Sequence, residues 1–81
     1  MDIKVLGRGC AKCHLTEEII RQVILEEGID AQIEKVTDYK KIAAYGVFLT
    51  PSVVIDGEVK CVGQIPTKEE IRSWTLHVTS R

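Results

Sequence analysis

The sequence predicts an α/β fold, β-α-β-α-β-β-α in order, with a four-stranded mixed sheet flanked by three helices. Three observations predict it. A short alternating run at the N-terminus gives way to a long stretch with an apolar residue at helical spacing. Two β-branched runs meet at Asp56-Gly57, a strong hairpin signal. A final helix opens with the spacing of a capping box, Thr67 to Glu70.

In DIKVL, residues 2–6, Ile3 and Val5 alternate with Asp2 and Lys4, as a strand with one buried face does. Gly7 and Gly9 end it. From Ala11 to Glu27 the period lengthens: Leu15, Ile19 and Val23, with Ile20 and Ile24, form one stripe, and Glu17, Glu18, Arg21, Glu26 and Glu27 take the other face. Gly28 stops this helix. Residues 30–36, DAQIEKV, read as the second strand. Thr37 or Asp38 caps a short helix over YKKIAAY, which Gly46 stops. The hairpin follows, and the last helix runs on with Ile71, Trp74 and Val78 on one side. Residues 1–81 are expected to form a single domain.

Composition narrows the function classes. The chain is 44% hydrophobic and 28% charged with a net charge of −1, which fits a globular protein and supplies no basic stripe for nucleic acid. Its four aromatic residues (Tyr39, Tyr45, Phe48, Trp74) are scattered, so no base-stacking platform is expected. No apolar run has the length of a membrane span, and the first ten residues, MDIKVLGRGC, lack a signal-peptide pattern. The expected compartment is the cytoplasm, where cysteines more often work in redox or metal chemistry than in structural disulfides.

Cys10 and Cys13 are separated by two residues, with His14 behind them, and Cys61 makes an odd third. Such a pair serves dithiol exchange, zinc binding, soft-metal trafficking or haem attachment. Cys10 falls at the seam between strand and helix, where free N–H groups and the helix dipole favour a thiolate. Arg8 and Lys12 place two cations within two residues of it, which also lowers a thiol pKa. Cys13, one turn on, is close enough to resolve a mixed disulfide formed at Cys10. Gly9 leaves room for a partner's backbone. His14 and His77 need no role beyond a solvated first turn and a helix end.

Thr50-Pro51 directly precedes the third strand, where a proline that cannot donate to the ladder belongs. A cis bond there would leave the Thr50 backbone free to pair with an extended segment.

Together, strand-GRGCAKC-helix and GVFLTPSVVIDGEVKCVGQIPTKEEI resemble the small thioredoxin/glutaredoxin-like redox-active disulfide proteins of archaea and bacteria, from Ile3 to about Leu76. The resemblance implies a minimal thioredoxin fold. It implies Cys10 as the attacking thiol, Cys13 as the resolving thiol, and Pro51 as the cis-proline facing them, with Thr50 presenting its backbone. It also implies a thiol-disulfide oxidoreductase that acts on protein or low-molecular-weight disulfides without a bound cofactor. A flavin-dependent reductase is the implied electron donor, and a monomer is expected. Two departures stand out. The residues between the cysteines are Ala11-Lys12, where thioredoxins carry Gly-Pro and glutaredoxins usually Pro-Tyr. Lys4 stands where thioredoxins hold a buried acid.

Other chemistries fit less well. Haem attachment needs a second axial ligand, and the one methionine is Met1. A structural zinc site wants four ligands, drawn here from Cys10, Cys13, Cys61 and a histidine. Ferredoxin-like metal carriers end on a strand, whereas this chain ends on a capped helix. A thiol-based zinc or copper module is the alternative function. Cys61 alternates with Val59 and reads as a small strand residue. A regular hairpin would set it opposite Ser52, near Pro51, as a possible third redox thiol.

Overall fold

The computed structural model describes residues 1–9 and 11–79, with side chains described as far as residue 75. Cys10 and the side chains of His77 and Val78 therefore lie outside the described residues. Seven elements follow in order: β1 (Asp2–Leu6), α1 (Ala11–Glu27), β2 (Gln32–Val36), α2 (Tyr39–Ala44), β3 (Ser52–Ile55), β4 (Glu58–Val62) and α3 (Lys68–Thr79). The strands lie in the order β2-β1-β3-β4. β1 is parallel to β2, antiparallel to β3, and β3 is antiparallel to β4. This is the minimal thioredoxin fold, a four-stranded mixed sheet with three helices.

β1 is central in the sheet, and its buried residues point to both faces. Ile3 and Val5 face a core built with Ile20 and Val23 of α1, Val53 and Ile55 of β3, Cys61 of β4 and Ile71 of α3. Leu6 faces the other way, toward Val36, Ile42, Val47 and Val54 under α2. Each such side chain, fully buried, contributes about 1.5–3 kcal/mol.

The α1 stripe differs from the expected one. Ile20 and Val23 are buried and Ile19 and Ile24 pack against the core as expected, but Leu15 is exposed, with Cys13 and Thr16 buried in its place. Counting back from Ile20 by four and seven residues gives Thr16 and Cys13, the true inner face. Thr16 can sit there because its hydroxyl donates to the Lys12 carbonyl at 2.8 Å, leaving no polar atom unpaired.

Local signals in the sequence correspond to formed caps and turns. Asp38 is the N-cap of α2, accepting from the Lys40 N–H. The Glu70 N–H donates to Thr67 Oγ1 and the Thr67 N–H to Glu70 Oε1, a complete capping box. Asp56 and Gly57 both have positive φ, 49° and 84°, as a type I′ hairpin turn requires. Ion pairs from Lys68 and Arg72 to Glu26, and from Arg72 to Glu27, tie the start of α3 to the end of α1.

One feature of the hairpin departs from regular pairing. An irregularity between Val53 and Val54 sets Cys61 opposite Val53 and Val62 opposite Ser52. Cys61 is therefore one residue away from the Ser52 pairing expected of a regular hairpin. The extra residue also moves Cys61 to the face of Val53, while Val59 packs on the face of Val54.

Candidate active site

β1 and β2 run parallel, so their C-terminal ends share one edge of the sheet, and α1 and α2 both begin there. Ligand crevices in α/β sheets form outside such strand ends. The candidate site occupies this edge. The loop after β1 carries Gly7, Arg8 and Gly9, and α1 starts at Ala11, the residue after Cys10 in the chain. Cys13 is buried in the first turn of α1.

Gly7 brings this turn against the loop before β3. A Cβ on Gly7 would overlap Cys13 Sγ, stand 3.1 Å from Cys13 Cβ and 3.8 Å from Thr50 Cβ. Cys13 and Thr50 thus both border a residue with no side chain. The Thr50-Pro51 peptide is cis. Pro51 is buried and Thr50 exposed. The loop is held on either side of Thr50. Ser52 Oγ donates to the Leu49 carbonyl at 2.7 Å, and the Gly63 N–H donates to the Pro51 carbonyl at 2.9 Å. Neither backbone group of Thr50 has a hydrogen-bond partner among the described residues. An extended segment laid beside it can bond there.

Arg8 and Lys12 are exposed. The Arg8 guanidinium lies 5.9 Å from the centre of the Tyr39 ring, a cation–π contact across to α2. His14 is exposed on α1. Cys61 is buried in the main core, its Sγ 3.7 Å from the Gln64 carbonyl. Burial pushes its thiol pKa up, because the charged thiolate loses solvation there. Lys4, midway along β1 and in place of a buried acid, pairs with Asp2 and Glu34. Hydrogen bonds to those two carboxylates raise its pKa.

Four contributors were not singled out by sequence reading: Ser52, Gly63, Tyr39 and Thr16. Gly63 follows β4 at φ 72°, and a Cβ on it would stand 2.9 Å from Leu49 Cβ. The readable signal was a glycine closing a strand, which marks a sharp turn but not the loop it supports.

A strand leading to a cysteine-bearing first helical turn, faced by a cis-proline loop, defines a protein of the thioredoxin-like class. The model of the thioredoxin-domain family matches residues 1–76, and the chain belongs to that family. It is 39% identical over 72 residues to a thioredoxin of Methanothermobacter thermautotrophicus, spanning 89% of this chain and 94% of that protein. It is 46% identical over 70 residues to a thioredoxin of Methanocaldococcus jannaschii, spanning 86% of this chain and 80% of that protein. The chain is thus a thioredoxin-like redox protein, a thiol oxidoreductase in the general sense. No described helix is long and apolar enough to cross a membrane.

Proposed function

We propose that this chain, acting as a single domain over residues 1–81, exchanges a Cys10-Cys13 dithiol with disulfides of proteins or small molecules. The observation that carries this reading is that Cys13, three residues after Cys10 in the chain, and Thr50 of the cis-proline loop both border the bare Gly7. A thiolate at Cys10 attacks one sulfur of the substrate disulfide. The S–S bond breaks, a Cys10–substrate disulfide forms, and the first substrate thiolate leaves to take a proton from water. Cys13 then gives up its proton and attacks the Cys10 sulfur, expelling the second substrate thiolate. The substrate gains two electrons and two protons, and the protein is left with a Cys10–Cys13 disulfide. A flavin-dependent reductase returns the electrons in this proposal, and the protein works as a cytoplasmic monomer.

Arg8 and Lys12 are proposed to favour the Cys10 thiolate, their support being adjacency in the chain. The exposed backbone of Thr50 supports a docking role for the cis-Pro51 loop. The burial of Cys61 supports a packing role for that thiol rather than a third exchange partner. Mass spectrometry of mildly oxidised protein separates the two, with linkage confined to Cys10–Cys13 expected.

The decisive experiment is trapping. Cys13→Ser protein, reduced and offered a disulfide substrate, should accumulate a mixed disulfide through Cys10. Cys10→Ser protein should accumulate none. Equal trapping by both variants would reverse or abolish the assigned roles.

A further inference from the structure

Thr16 interrupts the apolar inner face of α1. It lies there with Cys13, Ile20 and Val23 and is fully buried. A valine has the same shape, brings no polar atom into the core and keeps one preferred rotamer in a helix. The threonine hydroxyl instead donates to the carbonyl four residues back, a contact that slightly destabilises helices and often bends them. Core stability therefore gives no reason for the hydroxyl, and departures of this kind gather at functional sites. Among the described residues the buried polar side chains are Thr16, Ser52 and Thr75. Ser52 already holds the loop of Pro51.

The carbonyl that Thr16 bonds belongs to Lys12, which stands between the two cysteines of the pair. That C=O shares one planar peptide unit with the nitrogen and Cα of Cys13. In a helix the same oxygen also accepts the N–H of the residue four positions on, here Thr16 itself. One residue thus supplies two donors to the oxygen, its hydroxyl at 2.8 Å, and the plane that carries Cys13 resists tilting. Residues three apart share a helix face and lean toward its N-terminus, so Thr16 backs Cys13 along α1. On another side Gly7 leaves the Cys13 sulfur the space that a side chain would fill.

We infer that Thr16 is a positioning residue for the resolving thiol. Its hydroxyl fixes the Lys12–Cys13 peptide, and through it the direction from which Cys13 Sγ reaches the Cys10 sulfur. The inference rests on the proposed exchange and concerns its second step alone. In that step Cys13 gives its proton to water and attacks the Cys10 sulfur. The Cys10–substrate bond breaks, and the substrate thiolate leaves with the electron pair. The rate of such an intramolecular displacement depends on the placement of the attacking atom. The first step, attack by Cys10 on the substrate, does not use Cys13 Sγ.

The test separates the two steps in a Cys61→Ala background, where the pair supplies the only thiols. Pre-reduced protein is mixed rapidly with a small excess of dithiobisnitrobenzoate, an aryl disulfide whose thiolate absorbs visible light. The first thiolate appears at a rate that rises with reagent concentration, the second at a rate that does not. Thr16→Val should keep the first rate within twofold and slow the second about tenfold, short of the roughly hundredfold that a displacement of about 1 Å costs. Thr16→Ser, which keeps the hydroxyl and loses the methyl, should restore the second rate. Thr75→Val is the control. Thr75 is equally buried and donates to the Ile71 carbonyl at 2.9 Å, on a helix that carries neither cysteine of the pair. It should shift the urea midpoint as Thr16→Val does and leave both rates unchanged. If Thr16→Val does not fold, Thr16→Ala set against Thr16→Ser makes the same comparison, with only the alanine slow. A second rate within twofold of wild type in the variants lacking the hydroxyl would overturn the positioning role and leave the exchange standing. Equal slowing of both steps, or equal slowing by Thr75→Val, would do the same. Release of neither thiolate by the wild type would overturn the exchange reading and this role with it.

Discussion

The sulfur of Cys13 occupies the space that a side chain on Gly7 would need. Gly7 is required here for closeness alone, because its φ is not among the positive values in the chain. Gly7→Ala must displace the first turn of α1 or the end of β1. Overpacking of this kind costs about 1–3 kcal/mol. Urea unfolding should show that loss, and the mixed disulfide at Cys10 should live longer in the variant because Cys13 is moved from its place. A Gly7→Ala protein with wild-type stability and wild-type resolution would show that the contact has no functional weight.

Gly63 supports the opposite wall. Its φ of 72° and its approach to Leu49 both exclude a side chain, and its N–H holds the Pro51 carbonyl. Gly63→Ala is expected to lower stability by about 1–3 kcal/mol, the cost of one non-glycine residue in the left-handed region. The cis-proline loop should be displaced with it, so KM for disulfide peptides should rise more than kcat falls. Ser52→Ala removes the hydrogen bond to Leu49 without adding atoms, and should cost about 1 kcal/mol. Steady-state kinetics beside unfolding curves separates docking from mere stability.

Glu17 gives a dependence on acid. Arg21 donates twice to its Oε2, at 3.0 and 2.8 Å, and Lys35 stands 3.4 Å from Oε1. The Arg21 hydrogen bonds lead in holding its pKa below the usual carboxylate value, with Lys35 assisting. A lowered folded-state pKa means that the contribution is present above the unfolded value, about 4.3, and is lost as pH falls through the folded one. Glu17→Gln should therefore be less stable than wild type by about 0.5–1 kcal/mol at pH 7. The two proteins should converge below the lowered pKa, which urea midpoints across pH 2.5 to 7 would check, as would a salt-dependent gap at neutral pH.

Most of the fold was legible because its signals are local. The Asp56-Gly57 turn, the Asp38 cap and the Thr67-Glu70 box each depend on residues within four positions of one another, and each formed where the sequence placed it. The second strand begins two residues later than DAQIEKV suggested, at Gln32, since strand ends are set by the partner's length. Less legible were features decided across the sheet. Leu15 carries the stronger apolar signal, yet Thr16 has the buried phase because Ile20 and Val23 fix the helix rotation. The alternation of Val59 and Cys61 assigned both to one face. The irregularity opposite Val53 and Val54 adds a residue in β4 and parts them, and nothing in EVKCVG announces it. At the site, the pair of cysteines and Thr50-Pro51 stood out by residue type. Gly63 holds that loop from across the hairpin, and Ser52 holds it by a side-chain bond to a carbonyl three residues back, which residue type and spacing alone do not announce.

That displaced register gives Cys61 a chemistry of its own. It lies in the core with Ile20 and Ile71, and burial raises its thiol pKa. A raised folded-state pKa favours the protonated form in the fold. The resulting stability is complete below the unfolded thiol value, about 8.5, and is lost as pH rises through the folded one. In a Cys10→Ser, Cys13→Ser background, where no other thiol titrates, stability should fall on the alkaline side of pH 8.5. Adding Cys61→Ala should remove that part of the slope while lowering stability at pH 7 by about 1 kcal/mol through lost packing. Iodoacetamide should modify Cys61 in the folded protein far more slowly than in urea at the same pH, because it must wait for the edge of the sheet to open. Reaction at the unfolded rate in native buffer would show a thiol accessible to exchange and would return Cys61 to the redox chemistry of the site.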